Sequence, residues 1–333
     1  MSDASVALIG TVIERLQLQY LQGGTMLKKV TKGLLRKTLG GIRLLKNWAE
    51  EPVVVSPKIT EDSDLAYPWL NSLLTQIHQE STSGFRPNYA WGVLQAAHLA
   101  KALGMKRVSV IEFGVAGGNG LLALDQIAEK VEAILGVGIN VYGFDTGIGL
   151  PKPTDYRDLP SLWVEGAFPM DVGRLKKRLT RAELVLGPVE NTLPAFLASN
   201  PPPVGFIAFD LDYYSSTMQA FKLFEADRKI LLPRIYCYFD DILGHIYSDF
   251  TGERLAIREF NAAHAMRKIS PMYGLKYFLP KPYDQQEWVD MVYLAHFFDH
   301  PLYSAADGLV KPARHREGGK LREESGAEAP SGC

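Results

Sequence analysis

Between Val108 and Asp241 the chain alternates short apolar runs with longer stretches of helix-forming residues, and this rhythm restricts the fold more than any other feature. The runs are "VSVIEF", "NVYGFD", "AELVLG", "GFIAFD" and "RIYCYFD". They are nearly continuous in apolar residues, the pattern of strands covered on both faces. Around them lie "AWGVLQAAHLAKAL", "LLALDQIAEKVEAI", "VGRLKKRLT", "NTLPAFLA" and "SSTMQAFKLFEAD", which read as helices. Strand alternating with helix predicts an α/β fold with a doubly wound, mostly parallel sheet. After the helical "ERLAIREFNAAHA" come two more strand-like runs, "LKYFL" and "VDMVYLAHFF". The gap between them is too short for a helical crossover, so they are expected to pair antiparallel and bring the sheet to seven strands.

Three zones follow from this reading. Residues 1–84 are expected to form a helical extension, 85–310 the α/β domain, and 311–333 a disordered tail of polar and small residues. The extension contains "LKKVTKGLLRKTLGGIRLLKNW". At helical spacing Leu27, Val30, Leu34, Ile42, Leu45 and Trp48 share one side, with lysines and arginines largely opposite. Residues 27–48 therefore suit an anionic membrane surface, a partner subunit in a homo-oligomer, or the chain's own domain. The 333 residues carry a formal net charge of -1, which argues against nucleic acid as a partner. Two cysteines support neither a disulfide framework nor a zinc site. With no signal-peptide pattern and no long apolar span, a cytoplasmic location is expected.

Two kinds of strand end carry the chemistry. "VIEFGVAGGNG" runs from a strand through a glycine-rich turn into a helix, where bare backbone approaches a ligand. Asp145 ends the next strand, where an acid accepts ribose hydroxyls. Dinucleotides and S-adenosylmethionine both use such an arrangement. "FIAFDLDYYSST" and "RIYCYFDDI" then place Asp210, Asp212, Asp240 and Asp241 at the ends of two neighbouring strands. Ligands of open α/β sheets gather at that rim, and a cluster of hard oxygen donors there suits Mg²⁺. An ordinary reading exists for each pair alone: a solvated turn, or a helix start capped by Ser215 or Ser216.

"VIEFGVAGGNG", "VYGFDTGIGLPKP", "GPVENTLP", "FIAFDLDYYSST" and "YFDDI", in this order and spacing, resemble the macrocin O-methyltransferase family over roughly residues 85–245. The resemblance implies a Rossmann-like methyltransferase fold and metal-dependent transfer of a methyl group from S-adenosylmethionine to a sugar hydroxyl. It implies Asp210, Asp240 and Asp241 as ligands of Mg²⁺ or another divalent cation, and Asp212 as general base. It implies cofactor contacts from Glu112, Gly114, Ala116, Gly118, Asp145 and Thr146. The chain departs from the family in "GVAGGNG", which lacks bulky residues, and in "KILLPRIYCYFDDI", which lacks a glycine turn.

The acceptor, a small molecule or a glycan, is not legible. His245 is an alternative base. Tyr213 and Tyr214 are candidates for a sugar pocket or for the core. Trp163 and Phe168 fall in a long segment after Pro151 that reads as a lid or as an irregular surface loop. Three other readings compete: a metal-dependent nucleotide-sugar glycosyltransferase, a phosphoryl-transfer enzyme with a nucleophilic aspartate, and a non-catalytic scaffold at a membrane surface.

Overall fold

A computed structural model describes residues 66–81 and 84–307 of the chain. The expectations for the basic stretch 27–48 and for the tail 311–333 lie outside the described residues. Helices α1 (Ala66–Gln79) and α2 (Pro87–Ala102) lead into β1 (Arg107–Phe113), α3 (Asn119–Leu135) and β2 (Gly138–Asp145). Next come α4 (Val172–Lys176), β3 (Glu183–Leu186), α5 (Val189–Ala198), β4 (Val204–Phe209), α6 (Tyr214–Ala220) and β5 (Leu231–Phe239). The described chain ends with α7 (Gly252–Ala263), β6 (Arg267–Pro271), β7 (Val292–Phe297) and α8 (Tyr303–Asp307).

The strands form one sheet in the order β3-β2-β1-β4-β5-β7-β6. Strands β1 to β5 pair in parallel, and β7 runs antiparallel to β5 and β6. This is the mixed, seven-stranded Rossmann-like sheet that the alternating pattern predicts. The chain leaves β1 toward β2 and β3, then returns across the sheet to β4 and β5. The switch point therefore lies between β1 and β4, where ligands of open α/β sheets bind. Every residue of β4 and all but the first of β1 are buried, as their uninterrupted apolar sequences require.

α2 shows why periodicity alone is a weak guide in such a fold. Twelve of its residues are buried, from Asn88 to Ala100, so it is enclosed on nearly all sides rather than amphipathic. It packs against α1, α3, β4 and β5. Leu70, Leu73, Leu74 and Ile77 of α1 join the same buried core. The α/β body thus includes α1 and starts before residue 85.

The antiparallel pair differs from expectation in one partner. β7 is the expected strand, but β6 is "RKISP" and not "LKYFL". Residues Leu275–Tyr277 form a 3₁₀ turn opened by Gly274 at φ +80°. Leu275 and Leu279 are buried there while Tyr277 and Phe278 are 79% and 57% exposed, a spacing no strand in this sheet would give. The true β6 was hidden because it is an edge strand. Only Ile269 is buried, and the terminal Pro271 is tolerated at an edge.

Candidate functional site

Phe144, Phe113, Phe209 and Phe239 stand side by side across β2, β1, β4 and β5 in register. All four are fully buried. Neighbouring ring centroids lie 4.8, 5.7 and 4.6 Å apart along this row. Aromatic pairs at such distances add about 0.5–1.5 kcal/mol each beyond their burial. The residue after each phenylalanine is a site residue: Asp145, Gly114, Asp210 and Asp240. Three of these are tied to the neighbouring strand by the ladder itself. Gly114 N–H donates to the Phe144 carbonyl at 2.9 Å, Asp210 N–H to Phe113 at 2.9 Å, and Asp240 N–H to Phe209 at 3.0 Å. The rim of the site is therefore fixed by a rigid aromatic row directly beneath it.

A cavity of about 400 Å³ opens above this rim. Gly114, Ala116, Asp145 and Thr146 line one part, and Asp210, Asp212, Asp240 and Asp241 another. Eight of the expected site residues thus share one cavity. Glu112 and Gly118 do not line it. Glu112 lies behind the glycine turn, where it accepts the Tyr89 hydroxyl at 2.7 Å. A side chain on Gly118 would run into Leu175.

The turn after β1 is built around close backbone approaches. Gly114 has φ +86°, and a Cβ there would fall 1.8 Å from the carbonyl oxygen of Asp210. Only glycine lets the β1 exit pass the β4 exit this closely. Ala116, at φ +46°, and Asp212, at φ +60°, both occupy the left-handed region beside the cavity. Such strain in non-glycine residues gathers at functional sites. Asp145 clamps the turn: its Oδ2 accepts the N–H groups of Val115 and Ala116, each at 2.9 Å. Its Oδ1 accepts Gly147 N–H at 2.6 Å. Each carboxylate oxygen offers two lone pairs, so Oδ1 keeps one for a ligand hydroxyl.

The aspartates form an electrostatically strained group. Burial, and then Asp240, Asp241, Glu112 and Asp212, push Asp210 well above the usual carboxylate range. Burial and the charges of Asp241 and Asp240 raise Asp212, and burial also raises Asp241. Glu253, fully buried in the first turn of α7, is raised by burial and by Asp241. Arg86 faces this group: burial opposes its charge, but Tyr89, Glu112, Asp210 and Asp240 hold its pKa above the ordinary value.

The three expected ligands of a divalent ion all line the cavity. Asp210 and Asp240 follow the paired residues Phe209 and Phe239 on adjacent strands, so their backbones are neighbours. Two carboxylates of this kind, completed by water, suit Mg²⁺. Asp241 lines the same cavity and also carries hydrogen bonds. Its Oδ1 accepts the Tyr247 hydroxyl at 2.8 Å and its Oδ2 the Asp212 N–H at 3.1 Å. Its own N–H donates to Glu253 Oε2 at 3.1 Å. Among the described residues no three histidine, cysteine, aspartate or glutamate side chains converge as a metal cage. Asp240 Oδ1 likewise accepts the Tyr238 hydroxyl at 2.7 Å, so hydrogen bonding does not single Asp241 out among the three expected ligands.

The segment between β2 and α4 forms part of the cavity wall. Trp163 and Phe168 both line the cavity, with ring centroids 6.1 Å apart. The segment is pinned at its base. Leu150 N–H donates to Ala167 O and Gly166 N–H to Leu150 O, each at 2.8 Å. Buried Asp158 accepts hydrogen bonds from Thr154 and Ser215.

Asp158 also corrects the capping expectation. Neither Ser215 nor Ser216 caps α6; Tyr213 occupies the cap position without a side-chain bond, and Asp158 reaches in from that segment. Tyr213 and Tyr214 belong to the core. Tyr213 is fully buried and donates to the Pro151 carbonyl at 3.2 Å; Tyr214 donates to Glu259 Oε2 at 2.5 Å. His245 is exposed and does not line the cavity. Residues not foreseen are Gly187–Glu190 after β3, and Ser216 and Gln219 one turn apart on α6. Their positions at the strand-end rim and on one helix face were the available signals.

No family model and no curated protein matches the chain. Among solved structures, it is similar to a calicheamicin methyltransferase, CalS11, at 22% identity, with 69% of this chain and 92% of that one covered and a TM-score of 0.44. The O-methyltransferase NovP is 14% identical, with 61% and 91% covered and a TM-score of 0.42. An O-methyltransferase from Bacillus cereus in complex with SAH is 15% identical, with 76% and 98% covered and a TM-score of 0.33. Among the described residues no helix is long and apolar enough to cross a membrane.

Proposed function

We propose that the chain is an S-adenosylmethionine-dependent O-methyltransferase acting on a hydroxyl of a sugar or glycosylated acceptor. One observation carries the reading: a single cavity joins the Gly114–Ala116 turn and Asp145 to the acid group around Asp212. A methyl donor and a proton acceptor are what methylation of a hydroxyl requires side by side. The sequence resemblance described above supports the same chemistry.

When bound, S-adenosylmethionine would supply an electrophilic methyl group, and a divalent cation at Asp210 and Asp240 would supply Lewis-acid polarisation. The residues do the rest. Gly114 brings bare backbone against the cofactor, and the free lone pair of Asp145 Oδ1 accepts a ribose hydroxyl. Asp212 takes the hydroxyl proton, directly or through one water, with its backbone held by Asp241. Trp163 and Phe168 restrict water above the reacting atoms.

Calorimetry tests the reading. S-adenosylhomocysteine is expected to bind without metal, and uridine diphosphate with Mg²⁺ is not; the reverse result would favour a glycosyltransferase. With labelled S-adenosylmethionine and a panel of glycosides, Asp212→Asn is expected to lower transfer at least about a hundredfold. Its affinity for S-adenosylhomocysteine should stay near that of the parent. Mg²⁺ is expected to raise the melting temperature of the parent but not of Asp240→Asn. Turnover that survives EDTA unchanged would remove the cation from the mechanism.

A further inference from the structure

Apolar side chains crowd the outer edge of the cavity. Of the fifteen large apolar residues exposed among the described residues, eight fall in two short stretches, 148–168 and 243–250. Both leave the rim that holds the cavity, the first after β2 and the second after β5. Single exposed apolar residues are ordinary, but a cluster marks a contact face.

The two stretches border one another. The bonds between Leu150 and Gly166–Ala167 set Ile148, Val164 and Phe168 on one short ribbon. Phe168 lines the cavity yet is half exposed, so it marks the opening. Its φ of +60° is unusual for a bulky residue, and such strain is kept at functional sites. Within the same stretch, the 3₁₀ turn Tyr156–Asp158 packs on α6 and α7. The Arg157 guanidinium lies 4.4 Å from the Tyr214 ring, and Tyr214 donates to Glu259 of α7. The adjacent Arg258 lies 4.5 Å from the ring of Phe250, in the second stretch.

The arrangement selects what covers this face. Ile148, Tyr156, Val164, Ile246 and Phe250 do not line the cavity, so a ligand inside it leaves them bare. A second copy of the chain seated over them would close the opening beside Phe168. A lipid surface takes up separate apolar tips and still delivers an acceptor to that opening. The local charges are paired, Arg157 with Asp155 and Arg254 with Asp249. Contact therefore depends on apolar insertion more than on attraction to anionic headgroups.

We propose that this face docks on a phospholipid bilayer, with Ile148, Val164 and Phe250 entering its surface and the cavity opening toward it. The exclusion of a second copy rests on the methyltransferase reading above, since it is the acceptor that needs the opening free.

Vesicle flotation with the full chain tests the docking. The parent is expected to float with neutral phosphatidylcholine vesicles, and still to do so in about 0.5 M NaCl, where surface charge is screened. The triple variant Ile148→Ser, Val164→Ser, Phe250→Ser is expected to partition at least about tenfold less. Its melting temperature and its affinity for S-adenosylhomocysteine should stay near those of the parent. Val164→Ser and Phe250→Ser alone, each expected to lower partitioning about threefold, cover the case in which the triple variant fails to fold. Val164→Trp should add blue-shifted emission on these vesicles that brominated phosphatidylcholine quenches. A parent that stays off neutral vesicles would overturn the proposal. So would binding that requires phosphatidylglycerol and is unchanged in the triple variant, which would place it elsewhere on the chain. Self-association in place of vesicle binding, lost in the triple variant, would make a second copy the occupant. Vesicle docking without affinity for S-adenosylhomocysteine would remove the methyltransferase reading and leave the docking face.

Discussion

Asp158 caps the helix that Ser215 enters: its Oδ1 accepts the Ser215 N–H at 2.8 Å and its Oδ2 the Ser215 hydroxyl at 2.9 Å. The same Oδ2 accepts the Thr154 N–H at 2.7 Å and hydroxyl at 2.6 Å. One buried carboxylate thus ties this segment of the cavity wall to the helix that follows Asp210 and Asp212. Asp158→Ala would leave four donors without their acceptor and is expected to cost about 2–4 kcal/mol. Thermal melting should fall by roughly 5–10 °C, and limited proteolysis should begin between residues 150 and 168. An unchanged cleavage pattern would show that the segment is held by its other contacts.

Asp145 has two duties that one substitution pair separates. It clamps Val115 and Ala116, and it keeps one lone pair toward the cavity. Asp145→Asn retains an acceptor for the turn but replaces one oxygen with a donor. Asp145→Ala removes both. Calorimetry with S-adenosylhomocysteine is expected to show about tenfold weaker binding for Asp145→Asn and about a hundredfold for Asp145→Ala. Equal affinities in the two variants would mean that the cavity-facing lone pair alone matters.

Much of this arrangement was legible in the residue order, for a physical reason. Strands buried on both faces are written as apolar runs, so β1, β2, β4 and β5 stand out, and the residue after each closing phenylalanine or Phe-Asp marks the rim. What was illegible depends on contacts distant in sequence. Nothing near Ser215 announces that Asp158, 57 positions away, would cap its helix. Likewise, nothing near Asp241 announces that its carboxylate would hold the Tyr247 hydroxyl and the Asp212 N–H. The edge strand β6 failed for a third reason: one buried face leaves too little apolar pattern to detect.

Gly120 is predicted to be intolerant of any side chain. A Cβ there would lie 1.8 Å from Glu112 Oε1 and 2.8 Å from Glu112 Cδ. Glu112 cannot easily withdraw, because it is enclosed and bonded to Tyr89. Gly120→Ala is expected to cost about 2–3 kcal/mol through overpacking, even though alanine is the better helix former. Chemical denaturation would measure this. Glu112→Ala in the same chain should recover part of the loss by vacating the space, whereas no recovery would place the clash elsewhere.

Glu112 gives the protein a pH dependence of definite sign. Burial raises its pKa to about 7, while the Tyr89 hydrogen bond and Arg86 pull it down. Its Oε2 is buried without a partner. Between the ordinary value of 4.5 and about 7, the folded chain holds a proton that the unfolded chain has released. Stability from this group is therefore full below pH 4.5, falls as pH rises toward 7, and is flat above. The span corresponds to about 3 kcal/mol. Glu112→Gln cannot ionise, so its stability minus that of the parent is expected to rise from pH 5 to pH 7 and then level off. Denaturant titrations across pH 5–8 measure that difference, and subtraction removes the slopes contributed by Asp210 and Glu253. A flat difference across pH 5–8 would mean that Arg86 neutralises Glu112 as a carboxylate throughout, leaving no proton for the fold to hold.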